Sequence, residues 1–263
     1  MPEGDVLRRT AARLDQALAG TVLARAELRW PDATADLTGR TVLGTTAYGK
    51  HLLTRLDDGR TLRTHLRMDG SWRVAHTGAT ERAERDPWVR AVLVGPDWTA
   101  LGLRLGMLDV VRTDDEHLLL HHLGPDVLVS DFATTGLAAV LDRWAGEGRP
   151  ACEVLLDQTV QAGFGTIWTA EGLFARHVWP WTPAGDLRDP ASLVMTAREL
   201  MARSVLSQQP VRVHGRAGAP CVRCGTPIAV GTARRPPHER PIFWCPTCQT
   251  PPAEWHDGVR HRV

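Results

Sequence analysis

Two cysteine pairs, Cys221-x-x-Cys224 and Cys245-x-x-Cys248, stand 20 residues apart and constrain this chain more than any other feature. At that spacing two knuckles can converge tetrahedrally on one metal ion. The segment that carries them, from Gln208 onward, is rich in Gly, Pro and Arg and lacks the apolar periodicity of a self-sufficient core, so it needs a staple. A structural zinc ion held by all four thiolates is the expected one, with redox-active or free thiols as the alternative. Four protein ligands would close the site to catalysis. The fifth cysteine, Cys152, sits in an apolar helical context and reads as a buried small residue.

With 263 residues and 43% apolar content, the rest of the chain can support two modest domains. Pro2 to Gly20 reads as an amphipathic helix with Leu7, Ala11, Leu14 and Leu18 on one stripe. Short β-rich runs follow from Thr21 to about Thr113, among them a hairpin of His51–Leu56 and Arg60–Leu66 around Asp58-Gly59. Helical periodicity returns from Asp114, at Leu137–Trp144, Glu153–Val160, Ile167–Arg176 and Ser192–Leu206. The expected class is α+β: a β-sandwich domain opened by a helix (residues 1–113), a helical domain (114–208), and a metal-binding segment (209–263) packed with it.

Apolar runs are too short for a membrane span and the N-terminus lacks a signal-peptide pattern, so a cytosolic location is the default. The net charge of +1 does not announce a nucleic-acid partner, but its distribution is uneven. Arg198 to Val263 carries ten Arg against four acidic residues, net +6, which leaves −5 for the remainder. Of 31 cationic residues 30 are Arg, and the one lysine, Lys50, is the only side-chain amine able to trade a proton. Motifs G-x-S-x-G, H-E-x-x-H and G-x-x-x-x-G-K are missing. Gly163-x-Gly165 is too short for a dinucleotide fingerprint, and His117, His121 and His122 read as a solvated helix face.

Loss of Met1 would expose the secondary amine of Pro2, partly unprotonated near neutral pH and hence nucleophilic, with the Glu3 carboxylate beside it. Proline at the first position and a carboxylate on the helix dipole also describe a plain helix start.

Four segments occur in a telling order: Met1-Pro2-Glu3-Gly4, Gly49-Lys50 within a strand, Gln161-Ala162-Gly163-Phe164-Gly165 between helices, and Arg240-Pro-Ile-Phe-Trp-Cys-Pro-Thr-Cys-Gln249. Together with Leu-Gly-Pro-Asp-Val-Leu from Leu123 and Val-His-Gly-Arg-Ala-Gly-Ala-Pro-Cys ending at Cys221, they resemble the formamidopyrimidine-DNA glycosylase family, in its endonuclease VIII branch. The resemblance implies an N-terminal β-sandwich, a C-terminal helix-two-turns-helix domain with a zinc-finger β-hairpin, one structural zinc ion and no organic cofactor. It implies action on damaged DNA, double-stranded or partly single-stranded, with the target base flipped out, and a monomer is the default. By position Pro2 would attack C1′ and form an imine, Glu3 would protonate the sugar ring oxygen, Lys50 would assist β-elimination, and Arg240 would contact phosphate and serve δ-elimination. Oxidised pyrimidines are the expected lesions, because Gly4 follows the endonuclease VIII pattern and the segment from Ser204 to Val213 is short.

Arg67, Met68 and Asp69 align with the inserted triplet, Met68 being the wedge or else ordinary strand core. The chain departs from the family at Asp5-Val6, at Arg67 and Asp69, at His122 where an arginine is expected, and at Thr166 where asparagine follows Gly163-x-Gly165. Those glycines and Thr166 would hold a phosphate. A non-catalytic, zinc-dependent protein that recognises damaged DNA is the competing reading.

Overall fold

Apolar residues at alternate positions build two antiparallel sheets in the first half of the chain. The computed structural model describes residues 2–31, 33 and 35–252 and divides into two units after His122. In the first unit, β1 (Arg25–Leu28), β5 (Ser71–His76), β6 (Val89–Val94) and β7 (Trp98–Leu103) form one sheet in the order β1-β6-β7-β5. The other runs β2-β3-β4-β8, from β2 (Val42–Tyr48), β3 (His51–Leu56), β4 (Arg60–His65) and β8 (Met107–Arg112). Helix α1 (Gly4–Leu18) turns Leu7, Ala11, Leu14 and Leu18 into the core these sheets share, against residues such as Leu52, Leu56, Leu62 and Leu93. Asp15 fixes the helix to β2 by accepting the Thr45 amide at 2.8 Å.

The hairpin expected around Asp58-Gly59 is present, with Arg55 opposite Thr61. Two sequence readings need correction here. Gly49-Lys50 is not within a strand: Tyr48 pairs with His51, so the two residues are the tight turn between β2 and β3, where Gly49 takes φ 55°. The opening helix starts at Gly4, with Glu3 as its extended N-cap, and Pro2 lies outside it. A short helix, α2 (Glu81–Glu84), precedes β6, and the unit runs nine residues past Thr113 because α3 (Glu116–Leu120) is tied back to the sheet. Arg55 grips the Glu116 carboxylate with two nitrogens, at 2.8 and 2.6 Å, and the Thr61 hydroxyl bonds that of Thr113.

The second unit is built on α4 (Leu137–Trp144), α5 (Ala151–Leu155), α6 (Thr166–Ala175) and α7 (Pro190–Leu206). Asp189 caps α7 by accepting the Ser192 amide, and Gly172 lets α6 approach α7, since a Cβ there would stand 2.7 Å from that of Ala197. The helix expected over Glu153–Val160 is shorter: α5 stops at Leu155. Asp157 folds the chain into a turn by accepting from the Thr159 amide and hydroxyl, and the Gln161 carboxamide takes up the orphaned carbonyls of Val154 and Leu155. With the turn at Gly163–Gly165 this makes α5 and α6 a helix-two-turns-helix. The hairpin of β9 (Ala229–Ala233) and β10 (Arg240–Trp244) does not stand apart. Cys221, Ile228, Ala233, Ile242 and Cys245 belong to the same apolar core as Trp144, Phe164 and Phe174. The class is therefore α+β, and among the described residues no helix is long and apolar enough to cross a membrane. The end of the basic tail, residues 253–263, lies outside the described residues, as does Met1.

Candidate functional site

Glu3 is fully buried at the start of α1, and its carbonyl accepts the amides of Val6 and Leu7 at 2.9 and 3.1 Å. Its carboxylate does not cap the helix, although it stands at the positive end of the helix dipole. Pro2, half-buried, precedes it outside the helix. The neighbouring Asp5 is engaged elsewhere, its carboxylate 3.3 Å from Arg9 one helical turn on, while Val6 packs on the core.

The β2–β3 turn presents Lys50, half-buried, beside a pair of histidines. His51 and His65 are register partners across β3 and β4, their rings edge to face with centroids 4.9 Å apart. Burial pushes His65 down to about 4, reinforced by the ammonium of Lys50 and by Arg67 and Arg63. The same penalty, with His65 itself as a second cause, takes His51 to about 3. Both rings are neutral at physiological pH. The Arg67 amide donates to His65 Nδ1 at 2.8 Å, so that ring carries its proton on Nε2 and can donate from there. Sequence reasoning missed His65. Its signal was the two-residue spacing to the Arg67-Met68-Asp69 triplet, which places it at the end of the strand leading into that turn.

Met68 is 60% exposed at the tip of the turn after β4, so it is not strand core. Arg67 beside it takes φ 48°, a left-handed conformation unusual for a residue with a side chain. His122, exposed, lies edge-on to His121 at 5.8 Å; His117 on α3 and these two residues in the turn after it are all exposed, as a solvated surface requires.

In the second unit Gly163 adopts φ 119°, close enough to Val127 that a Cβ would meet its methyl at 3.2 Å. Gln158 braces this turn, accepting from the Gly163 amide and donating to the Phe164 carbonyl. Gly165 is the extended N-cap of α6 and Thr166 its first residue; the Thr166 side chain is only 7% exposed, so the backbone dominates what this turn offers. Two residues missed in the sequence hold the surrounding loops. Glu171, buried within α6, accepts the consecutive amides of Arg212, Val213 and His214, each at 2.9 Å. His214 in turn lies edge-on to Phe243 of β10, its pKa lowered by burial and its Nδ1 without a partner. Neither is readable from spacing, because the partners are some 30 to 45 residues apart. Arg240 opens β10 opposite Ala233, half-buried, with one guanidinium nitrogen on the Glu239 carbonyl.

Cys221, Cys224, Cys245 and Cys248 bring their sulfurs within 4.8 Å of one another. Separations such as 3.4 Å between Cys224 and Cys245 and 3.9 Å between Cys221 and Cys248 bracket the roughly 3.8 Å edge of a tetrahedron with metal–sulfur bonds of about 2.3 Å. None is in a disulfide. The four thiols thus fit a metal ion. Cys152 is buried in α5 with its thiol pushed up by desolvation, as an inert core residue should be.

The N-terminal domain model of formamidopyrimidine-DNA glycosylase matches residues 1–108. A protein named probable endonuclease 8 2 from Streptomyces coelicolor is 43% identical over the whole of both chains. The DNA-(apurinic or apyrimidinic site) lyase Nei2 of Mycolicibacterium smegmatis is 36% identical over 95% of this chain and 99% of its own. Among solved structures, the Lactococcus lactis formamidopyrimidine-DNA glycosylase bound to abasic-site DNA has the same fold, with a TM-score of 0.82 over 95% of this chain and 100% of that one at 22% identity. With relatives that similar over its full length, the chain belongs to the formamidopyrimidine-DNA glycosylase family.

Proposed function

We propose that the protein is a bifunctional DNA glycosylase and abasic-site lyase of base excision repair, which uses the N-terminal amine of Pro2 and favours oxidised pyrimidines. The observation that carries the reading is the pairing of Pro2, outside the helix, with a Glu3 carboxylate that is wholly buried yet does not cap that helix. A carboxylate held out of water next to the N-terminal amine is placed to exchange a proton there. Pro2 attacks C1′ of the damaged nucleotide while Glu3 delivers a proton to the sugar ring oxygen. The base departs with the glycosidic electron pair. An amine nucleophile leaves a cationic imine that acidifies the neighbouring C2′ proton, so strand cleavage follows from the same intermediate. Lys50 assists the β-elimination and Arg240 the δ-elimination.

Gly163, Gly165 and Thr166 supply phosphate contacts from the start of α6, Arg67 and Met68 enter the opened duplex, and His122 lies along the backbone. The four cysteines hold one structural zinc ion, which organises the hairpin bearing Arg240. Nucleoid-associated action in the cytoplasm fits this role. The named relatives, an endonuclease 8 and an abasic-site lyase, support the same reading.

Borohydride reduction on abasic-site DNA tests the proposal. Covalent linkage through residue 2 is expected, with Pro2→Gly or retention of Met1 sharply reducing it. Linkage through Lys50 would overturn the assignment, and absence of any linkage would leave a non-catalytic damage-binding protein.

A further inference from the structure

Three loops of the first unit close on one another around an exposed tryptophan. Trp88, in the segment before β6, is 49% exposed, yet its backbone is pinned. Its amide donates to Asp86 Oδ1 and its carbonyl accepts the Arg104 amide, both at 2.8 Å. Arg104 lies in the turn between β7 and β8, and the same turn donates the Gly106 amide to the His65 carbonyl at 3.0 Å. The Arg67 side chain lies directly over Gly106, where any Cβ would meet its Cγ at 2.4 Å. Gly70 lies so close to the Arg104 carbonyl that a Cβ would stand 3.0 Å from it. These glycines are required for the two turns to stack.

The result is a concavity of about 490 Å3 with Trp30, Trp88, Met68, Arg67, Arg90 and Arg104 on its walls. The Arg104 guanidinium carbon lies 4.6 Å from the centre of the Trp88 ring and that of Arg90 lies 5.9 Å from it. Asp69 is the only carboxylate on its lining among the described residues, so three cations face one anion. Arg67 and Arg104 both take φ 48°, and backbone strain of this kind persists where surrounding structure imposes it and a site benefits.

An indole half open to solvent, with the Arg104 guanidinium over its ring and that of Arg90 farther out, suits a flat ligand that stacks on the part left open and carries an anion. That is a nucleotide. Met68, the exposed apolar tip, is on the same wall. A wedge entering the duplex where a lesion has left would strip the opposite base of its partner and of one stacking neighbour.

We propose that Trp88 is a stacking platform for this base, the unpaired nucleobase on the intact strand facing the lesion, with Arg67, Arg90 and Arg104 holding its flanking phosphates. This rests on the proposed glycosylase function. Because Trp88 grips a π-face rather than a hydrogen-bonding edge, it tolerates any base but requires one to be present.

The test uses the full-length protein and duplexes carrying a tetrahydrofuran abasic analogue. With a purine opposite the analogue, Trp88→Leu should weaken binding by roughly tenfold or more, and Trp88→Phe should restore most of it. With a second tetrahydrofuran opposite, Trp88→Leu and the wild type should agree within about twofold. Equal losses on both duplexes would overturn the platform. Independently of any variant, 2-aminopurine placed opposite the analogue should be strongly quenched in the wild-type complex by stacking on the indole; emission as bright as that of an unstacked nucleoside would overturn it as well. Borohydride trapping by the wild type, run alongside, reports on the glycosylase reading, so the failure of one is separable from the failure of the other.

Discussion

His51 and His65 face each other edge-on across β3 and β4 at 4.9 Å, in a fold that keeps both rings neutral. In the unfolded chain each titrates near 6.5. As pH falls below that value the unfolded state binds protons that the folded state refuses, so stability falls until pH nears about 4 for His65 and about 3 for His51. Each ring contributes about 1.4 kcal/mol per pH unit to that slope. His51→Leu, which also removes a buried Nδ1 without a partner, should flatten the slope by about that amount in urea titrations between pH 6.5 and 5. An unchanged slope would mean that His51 is protonated in the native state.

Replacing Glu3 by Gln keeps the shape of the buried side chain but removes its acid. Base excision should fall by about 100-fold or more, because proton transfer of this kind is worth roughly that much. Cleavage of preformed abasic sites should survive in part, since elimination begins after the base has gone. Parallel assays on lesion-bearing and abasic duplexes check this, and equal losses would dissolve the division of labour between Glu3 and Pro2.

Chelation, or Cys245→Ser, should loosen the second unit well beyond the hairpin, because Cys221 and Cys245 are part of the core that includes Trp144 and Phe174. DNA affinity should be lost while the β-sandwich keeps its protection. Hydrogen exchange read by peptide resolves the two. Loss of protection in β2, β3 and β4 as well would show that the units do not unfold separately.

Glu171→Ala should cost about 3 kcal/mol in the second unit, since it strands the buried amide of Val213 and the part-buried amides of Arg212 and His214. Glu171→Gln, which keeps an accepting oxygen, should cost less than half as much. Denaturant midpoints of the two variants decide it.

Competitive cleavage of thymine glycol, 5-hydroxyuracil and 8-oxoguanine duplexes should favour the pyrimidines. Between the end of α7 at Leu206 and the amides fixed by Glu171 from Arg212 onward, only a short stretch of chain is available to cover a larger base. A clear preference for 8-oxoguanine would contradict the assignment.

What could be read from the sequence was what local chemistry decides. The hairpin at Asp58-Gly59, the span of α4 and the convergence of four cysteines each depend on neighbours within a few residues or on strict spacing. Helix α5 was overextended because its apolar pattern continues to Val160, whereas its end is set by the Asp157 turn and by Gln161 reaching back to Val154 and Leu155. Pattern does not reveal such side-chain capture of backbone. Lys50 was recognised as chemically singular but misplaced, because a glycine before a strand can as easily be a turn. His65, Trp88, Glu171 and His214 were illegible for one reason: each acquires its role from residues brought beside it by sheet register or loop packing.

The carboxylate of Glu171 also fixes how this part of the molecule can change over time. With α7 ending at Leu206 and the chain anchored again at Arg212, residues 207–211 hang between two posts that neither sheet nor helix packing needs to move. At most roughly 17 Å of extended chain fits there, and lengthening a surface loop carries a loop-closure penalty that grows only logarithmically. Insertions at this point could therefore be acquired or discarded without renegotiating the core, so that this stretch behaves as an exchangeable cassette mounted on a fixed frame.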